Sequence, residues 1–112
     1  MIRREGSTRT GYYEVFNELD CPSDFMNLDD EIKQRVISWC KKYCIISEGF
    51  YTDISSYGLK HNLEEDIGIY LTNGQFKGAM LLADFKSQKA NNFNWYFNLS
   101  SKSPAIFMKK KG

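Results

Sequence analysis

The sequence predicts a small α+β domain with three main helices and a short antiparallel sheet, and two stretches carry that prediction. Residues 55–86, SSYGLKHNLEEDIGIYLTNGQFKGAMLLADFK, contain two apolar helical stripes separated by a glycine. In Asn94–Leu99, Trp95, Phe97 and Leu99 alternate with Asn94, Tyr96 and Asn98 at the period of two that marks a strand.

In chain order, MIRREGSTRT at 1–10 is polar and arginine-bearing, and reads as a flexible arm. Tyr12, Tyr13, Val15 and Phe16 form a short apolar patch expected to pack on the core as an edge element, which Cys21-Pro22-Ser23 ends. A helix is expected over Leu28–Tyr43 with Asn27 as its N-cap. Asp29, Asp30 and Glu31 favour the positive end of its dipole, and Lys41 and Lys42 favour the negative end. Its apolar stripe is Leu28, Ile32, Val36, Trp39, Cys40 and Tyr43. Cys44-Ile45-Ile46 reads as a short strand, turned by Ser47, Glu48 and Gly49.

The next helix begins at Ser55 or Ser56, whose hydroxyl is expected to accept a bond from a first-turn amide. Tyr57, Leu59, Leu63 and Ile67 are its apolar positions, and Gly68 supplies the left-handed residue that ends it. Thr72 caps a third helix through Phe76, Met80, Ala83 and Phe85. Gly74 and Gly78 each cost this helix roughly 1 kcal/mol relative to alanine, so tertiary packing or the close approach of another backbone must hold it. A loop over Lys86–Asn92 leads into the alternating strand. Ser100–Ser103 then turn the chain, Pro104 takes a first helical position, and Lys109, Lys110 and Lys111 form a basic tail after Ala105–Met108.

The 112 residues fit one domain, and 42% hydrophobic with 15% aromatic content argues against disorder. The sequence contains no apolar run of the ~20 residues a membrane span needs, and a cytoplasmic protein is expected. The three cysteines are irregularly spaced and do not resemble a secreted disulfide framework. Net charge is +1 but unevenly placed: residues 10–66 carry −7, whereas residues 85–112 hold six lysines and no acid. A basic side of this kind is the footprint of a nucleic-acid partner, or a solubilising feature.

Two short helices meeting at a glycine fit a helix-turn-helix, and equally an ordinary αα-hairpin. The order helix, strand, helix, helix, loop, strand matches a winged-helix domain with Lys86–Asn92 as the wing. SYGLKH at 56–61, TNGQFKGAM at 72–80 and NW at 94–95 resemble segments of a group of small proteins carried by phages, plasmids and cassette elements of Gram-positive bacteria. The resemblance covers roughly the C-terminal half and carries over no catalytic residue. It implies an accessory role in replication, regulation or countering host defence.

As a recognition helix, the third helix would present Asn73, Gln75 and Lys77 outward. Asparagine and glutamine pair with an adenine edge, and lysine with guanine or phosphate. Lys60, Lys86, Lys89 and Lys102 would hold phosphates, and Gly74 and Gly78 would admit a groove wall. Glu64, Glu65 and Asp66 beside it oppose this by repelling phosphate. Tyr70, Trp95 and Tyr96 are candidates to stack on single-stranded bases. Cys21, Cys40, Cys44 and His61 could hold zinc, but buried core cysteines fit the spacing better. His61 with Glu64 or Glu65 has the spacing of an oriented base, yet no nucleophile motif or phosphate loop accompanies it. The sequence therefore predicts no enzymatic activity and no cofactor. It predicts a nucleic-acid-binding accessory or regulatory protein, with DNA favoured over RNA. The alternative is a protein-binding module that modulates a polymerase, helicase or nuclease.

Overall fold

The computed structural model describes residues 21–108, and the expected arm at 1–10, the apolar patch at 12–16 and the lysines at 109–111 lie outside them. The described chain runs α1 (Asp30–Tyr43), β1 (Ile46–Tyr51), α2 (Ser56–Ile67), α3 (Asn73–Leu82), β2 (Ser87–Lys89) and β3 (Trp95–Leu99). One 3-10 helix, Pro22–Asn27, precedes these elements, and another, Pro104–Phe107, follows them. The strands form one antiparallel sheet in the order β1-β3-β2. This is the small α+β architecture of three main helices and a short antiparallel sheet that the sequence predicts, with the β2–β3 hairpin in the place expected for the wing.

α1 starts two residues later than its apolar stripe predicts, with Asp29 rather than Asn27 as N-cap. The reason is Pro22, which opens a separate 3-10 turn that occupies Asn27 and carries Phe25 into the core. Val36, Trp39 and Cys40 of the stripe are buried, with Leu28, Ile32 and Tyr43 packed at its margin.

The first strand differs most from expectation. Ser47, Glu48 and Gly49 do not turn the chain but continue β1 to Tyr51. Ile46 lies opposite Leu99 and Tyr51 opposite Phe97, so the strand bulges between them. The Asn98 side-chain amide donates to the Ser47 carbonyl at 3.3 Å and bridges the bulge. Ile45 and Ile46 remain exposed.

α2 ends at Gly68, whose φ of 70° is the left-handed stop the sequence predicts. Its expected cap is absent: Ser55 makes no side-chain cap bond, and the Ser56 hydroxyl instead accepts from the Trp95 amide of β3 at 3.1 Å. Leu59 and Leu63 are fully buried, whereas Tyr57, read as apolar, is exposed. Thr72 caps α3 as expected, in a capping box with Gln75. The helix stops at Leu82, short of Phe85, because Asp84 turns the chain with φ 73°.

Phe76 and Phe97 meet edge-to-face, with centroids 6.3 Å apart, and join α3 to the sheet. Pro104 takes the first helical position as predicted. No helix among the described residues is long and apolar enough to cross a membrane.

Candidate nucleic-acid interface

α3, the helix expected to read bases, is enclosed on nearly every side. Asn73, Gly74, Phe76, Lys77, Gly78, Ala79 and Met80 are all buried. A side chain at Gly78 would collide with the Pro22 carbonyl oxygen and lie 2.6 Å from Phe25 Cβ. At Gly78 the predicted close backbone approach therefore exists, but the backbone is the chain's own Pro22–Asn27 turn rather than a groove wall.

The expected outward set is accordingly corrected. Lys77 is 3% exposed, and its Nζ lies 4.9 Å from the centroid of the Trp95 ring. Asn73 is 8% exposed, and its side-chain amide donates to the Phe93 carbonyl at 2.9 Å and to Asn94 Oδ1 at 2.7 Å. Its Oδ1 is buried without a hydrogen-bond partner. The Gln75 side chain accepts from the Thr72 amide at 2.9 Å and closes the capping box. All three residues do local work within the fold: one caps α3, and two tie it to the wing.

Lys60 is not a surface phosphate contact either. It is buried, 3.0 Å from Glu64 Oε2, beneath the exposed ring of Tyr57. Glu64 Oε2 also accepts from the Leu71 amide at 3.0 Å, which fixes the α2–α3 connection, and its Oε1 lies 3.2 Å from His61 Nδ1. Asp66 accepts from Trp39 Nε1 at 2.9 Å. Two of the three acids expected to repel phosphate are thus engaged inside the domain, and Glu65 alone of them is exposed.

Lys86, Lys89 and Lys102 are exposed. Ser87, Gln88 and Lys89 of β2 pair with Phe97, Tyr96 and Trp95, which places Lys89 at the base of the wing loop. Asn98 Oδ1 accepts from the Lys86 amide at 2.7 Å and anchors the start of the hairpin. The loop over 90–94 is built from asparagines. Asn91 Oδ1 accepts from the amides of Phe93, at 2.9 Å, and Asn94, at 2.8 Å, and the Asn94 carbonyl accepts from Ala90 at 2.9 Å. Asn91, Phe93 and Asn94 escaped the sequence reading as site-builders, although Asn-Asn-Phe-Asn is a run in which side chains replace backbone partners in a turn.

Of the expected stacking residues, Tyr70 is 79% exposed, while Trp95 and Tyr96 are half-buried in the sheet. Cys40 and Cys44 are buried core thiols. Burial pushes Cys44 up to about 12, and burial together with the neighbouring Cys44 raises Cys40. No group of three or more His, Cys, Asp or Glu side chains among the described residues could hold a metal ion.

Neither a protein family, a curated protein nor a solved structure matches the chain.

Proposed function

We propose that this domain attaches to nucleic acid, DNA in preference to RNA, through its wing. In this reading it serves in the cytoplasm as a non-enzymatic accessory or regulatory component of a mobile genetic element's replication or transcription. The observation that carries the reading is the contrast within the winged fold: α3 is closed, while Lys86 and Lys89 stand exposed on an ordered hairpin. Lys102 is a third exposed cation in the same acid-free stretch of sequence. With α3 enclosed, attachment is to the phosphate backbone and carries little base specificity. The segment resemblance at 56–61, 72–80 and 94–95 supports the genetic setting.

The test is fluorescence anisotropy with a labelled DNA duplex across a salt series. Each phosphate contact adds a slope of about 0.9 to the fall of log affinity with log salt. The Lys86→Ala/Lys89→Ala variant is expected to flatten that slope by nearly two. Affinity indifferent to salt, or an unchanged slope in the variant, contradicts the reading.

A second reading, docking on a polymerase, helicase or nuclease, is favoured by Ile45, Ile46 and Phe50. These residues stand exposed along the β1 side of the sheet at 46%, 54% and 38%. It predicts little DNA affinity until the partner is present.

A further inference from the structure

We propose that the cleft between the C-terminal half of α1 and the end of α2 binds a free guanosine monophosphate, with Arg35 and Lys42 on its phosphate and Asp66 on its base. The cleft shares no lining residue with the wing, and the proposal does not depend on the attachment proposed there.

The cleft holds about 370 Å³, inside the ~300–1,000 Å³ range of small-molecule sites. α1 supplies one wall in two adjacent seams. Arg35, Ser38 and Lys42, at i, i+3 and i+7, form the exposed outer seam, while Trp39 and Tyr43, at i and i+4, form the inner one, buried and half-buried. Asp66 and Ile67, the last two residues of α2, line the other wall. Trp39 Nε1 donates to Asp66 Oδ2 at 2.9 Å, so the carboxylate is held in place, and its second oxygen accepts no hydrogen bond among the described residues.

The cations of this cleft are unusual for their surroundings. The acidic stretch 10–66 has only five basic residues, of which Lys33 pairs with Asp30 at 3.3 Å and Lys60 with Glu64 at 3.0 Å. Arg35 and Lys42 have no carboxylate partner among the described residues. Lys42 Nζ lies 5.3 Å from the centre of the Tyr43 ring, which keeps the ammonium at the cleft. Two helical turns, roughly 10 Å along the axis, separate the two cations, a gap that their long side chains can close on one phosphate.

Charge selects the occupant. A purely anionic ligand would meet Asp66, and an apolar one would leave both cations unanswered. Opposite charges on opposite walls suit a molecule with an anion at one end, N–H donors at the other, and a flat body between them for Tyr43 and Ile67 to flank. A nucleoside monophosphate has that layout, with its phosphate on the guanidinium and ammonium and its base on the carboxylate. Guanine presents two neighbouring donors, its ring N1–H and its 2-amino group, to a group that only accepts. Adenine sets a bare ring nitrogen beside its amino group, and that nitrogen is repelled by the carboxylate.

The test is isothermal titration calorimetry of the full chain with GMP, set against guanosine, AMP and inorganic phosphate. GMP is expected to bind, and each of the other three to bind at least about tenfold more weakly. Arg35→Ala/Lys42→Ala should lower GMP affinity to that of guanosine. Asp66→Asn keeps an oxygen for Trp39 Nε1 but replaces the other acceptor with a donor, so it should erase the preference for GMP over AMP. Thermal unfolding establishes that each variant is folded, and amide shifts with GMP should fall over residues 34–43 and 66–67. The proposal is overturned if wild type does not bind GMP, binds inorganic phosphate or AMP equally well, or shows its shifts over 86–94 instead. An undiminished GMP affinity in folded Arg35→Ala/Lys42→Ala also overturns it. A 5′-phosphorylated trinucleotide beginning with guanosine offers the same groups from a strand end, and tighter binding of that strand than of GMP would overturn the assignment to a free nucleotide.

Discussion

α3 and the wing lie side by side and are both rich in amide and ammonium side chains, yet they use them in opposite ways. On α3, Asn73, Gln75 and Lys77 are spent inside the domain, on the wing loop, the helix cap and the Trp95 ring. On the wing, Lys86 and Lys89 face solvent, and the asparagines at 91, 94 and 98 hold the hairpin that presents them. The same residue types are structural in one place and available in the other, and what decides is what packs over α3: the wing loop and Trp95 take up Asn73 and Lys77, the helix cap takes up Gln75, and the Pro22–Asn27 turn closes the Gly78 side. The comparison predicts that substitutions on the α3 side change stability, and that those on the wing lysines change affinity.

The largest effect is expected at the turn itself. Phe25 is 1% exposed, and Phe25→Ala should cost about 3–5 kcal/mol in urea denaturation. A loss below about 1 kcal/mol would mean that the turn merely rests on α3. Gly78→Ala comes next. Helix propensity alone favours alanine by roughly 1 kcal/mol, but the collision with Pro22 and Phe25 opposes it. Overpacking of that kind costs about 1–3 kcal/mol, so the net change is expected to be destabilising. A stabilised variant would show that the turn yields without cost. Asn73→Ala removes two hydrogen bonds to the wing loop and should cost about 1 kcal/mol, with faster amide exchange at Phe93 and Asn94. At the small end, Lys86→Ala/Lys89→Ala should move stability by less than about 0.5 kcal/mol while lowering DNA affinity.

The thiols extend the contrast between enclosed and available groups. Cys21 is partly exposed and should react with a thiol reagent in the native protein at pH 8, whereas Cys40 and Cys44 should react only on unfolding. Their raised pKa values mean that the native state holds its protons more tightly than the unfolded chain. The stability they contribute is complete below the ordinary thiol value near 9 and declines as pH rises toward about 12.

Elements with a local physical cause were legible in the sequence. The alternation in β3, the glycine stop at 68, the Thr72 cap and Pro104 at a helix start each rest on neighbours a few residues apart. What could not be read depends on distant partners. The Ser47–Gly49 run looks like a turn until β3 pairs alongside it. Asn73 and Lys77 look outward on a helical wheel because a wheel assigns one buried face, whereas the wing loop and Trp95 cover α3 on a second side and a turn about fifty residues earlier in the chain covers it at Gly78. Gly78 did signal that covering, as a cost requiring a close neighbour, without saying which neighbour it was. Lys86, Lys89 and Lys102 kept their expected exposure because neither sheet nor helix packs over them.

The most direct measurement of the wing account is amide chemical-shift mapping on titration with single-stranded DNA. Shifts are expected to concentrate over residues 86–94 and at Lys102, with the buried face of α3 and the β1 stretch from Ile45 to Phe50 nearly unmoved. Perturbations centred on α3, or on Ile45, Ile46 and Phe50 with the wing silent, would contradict it.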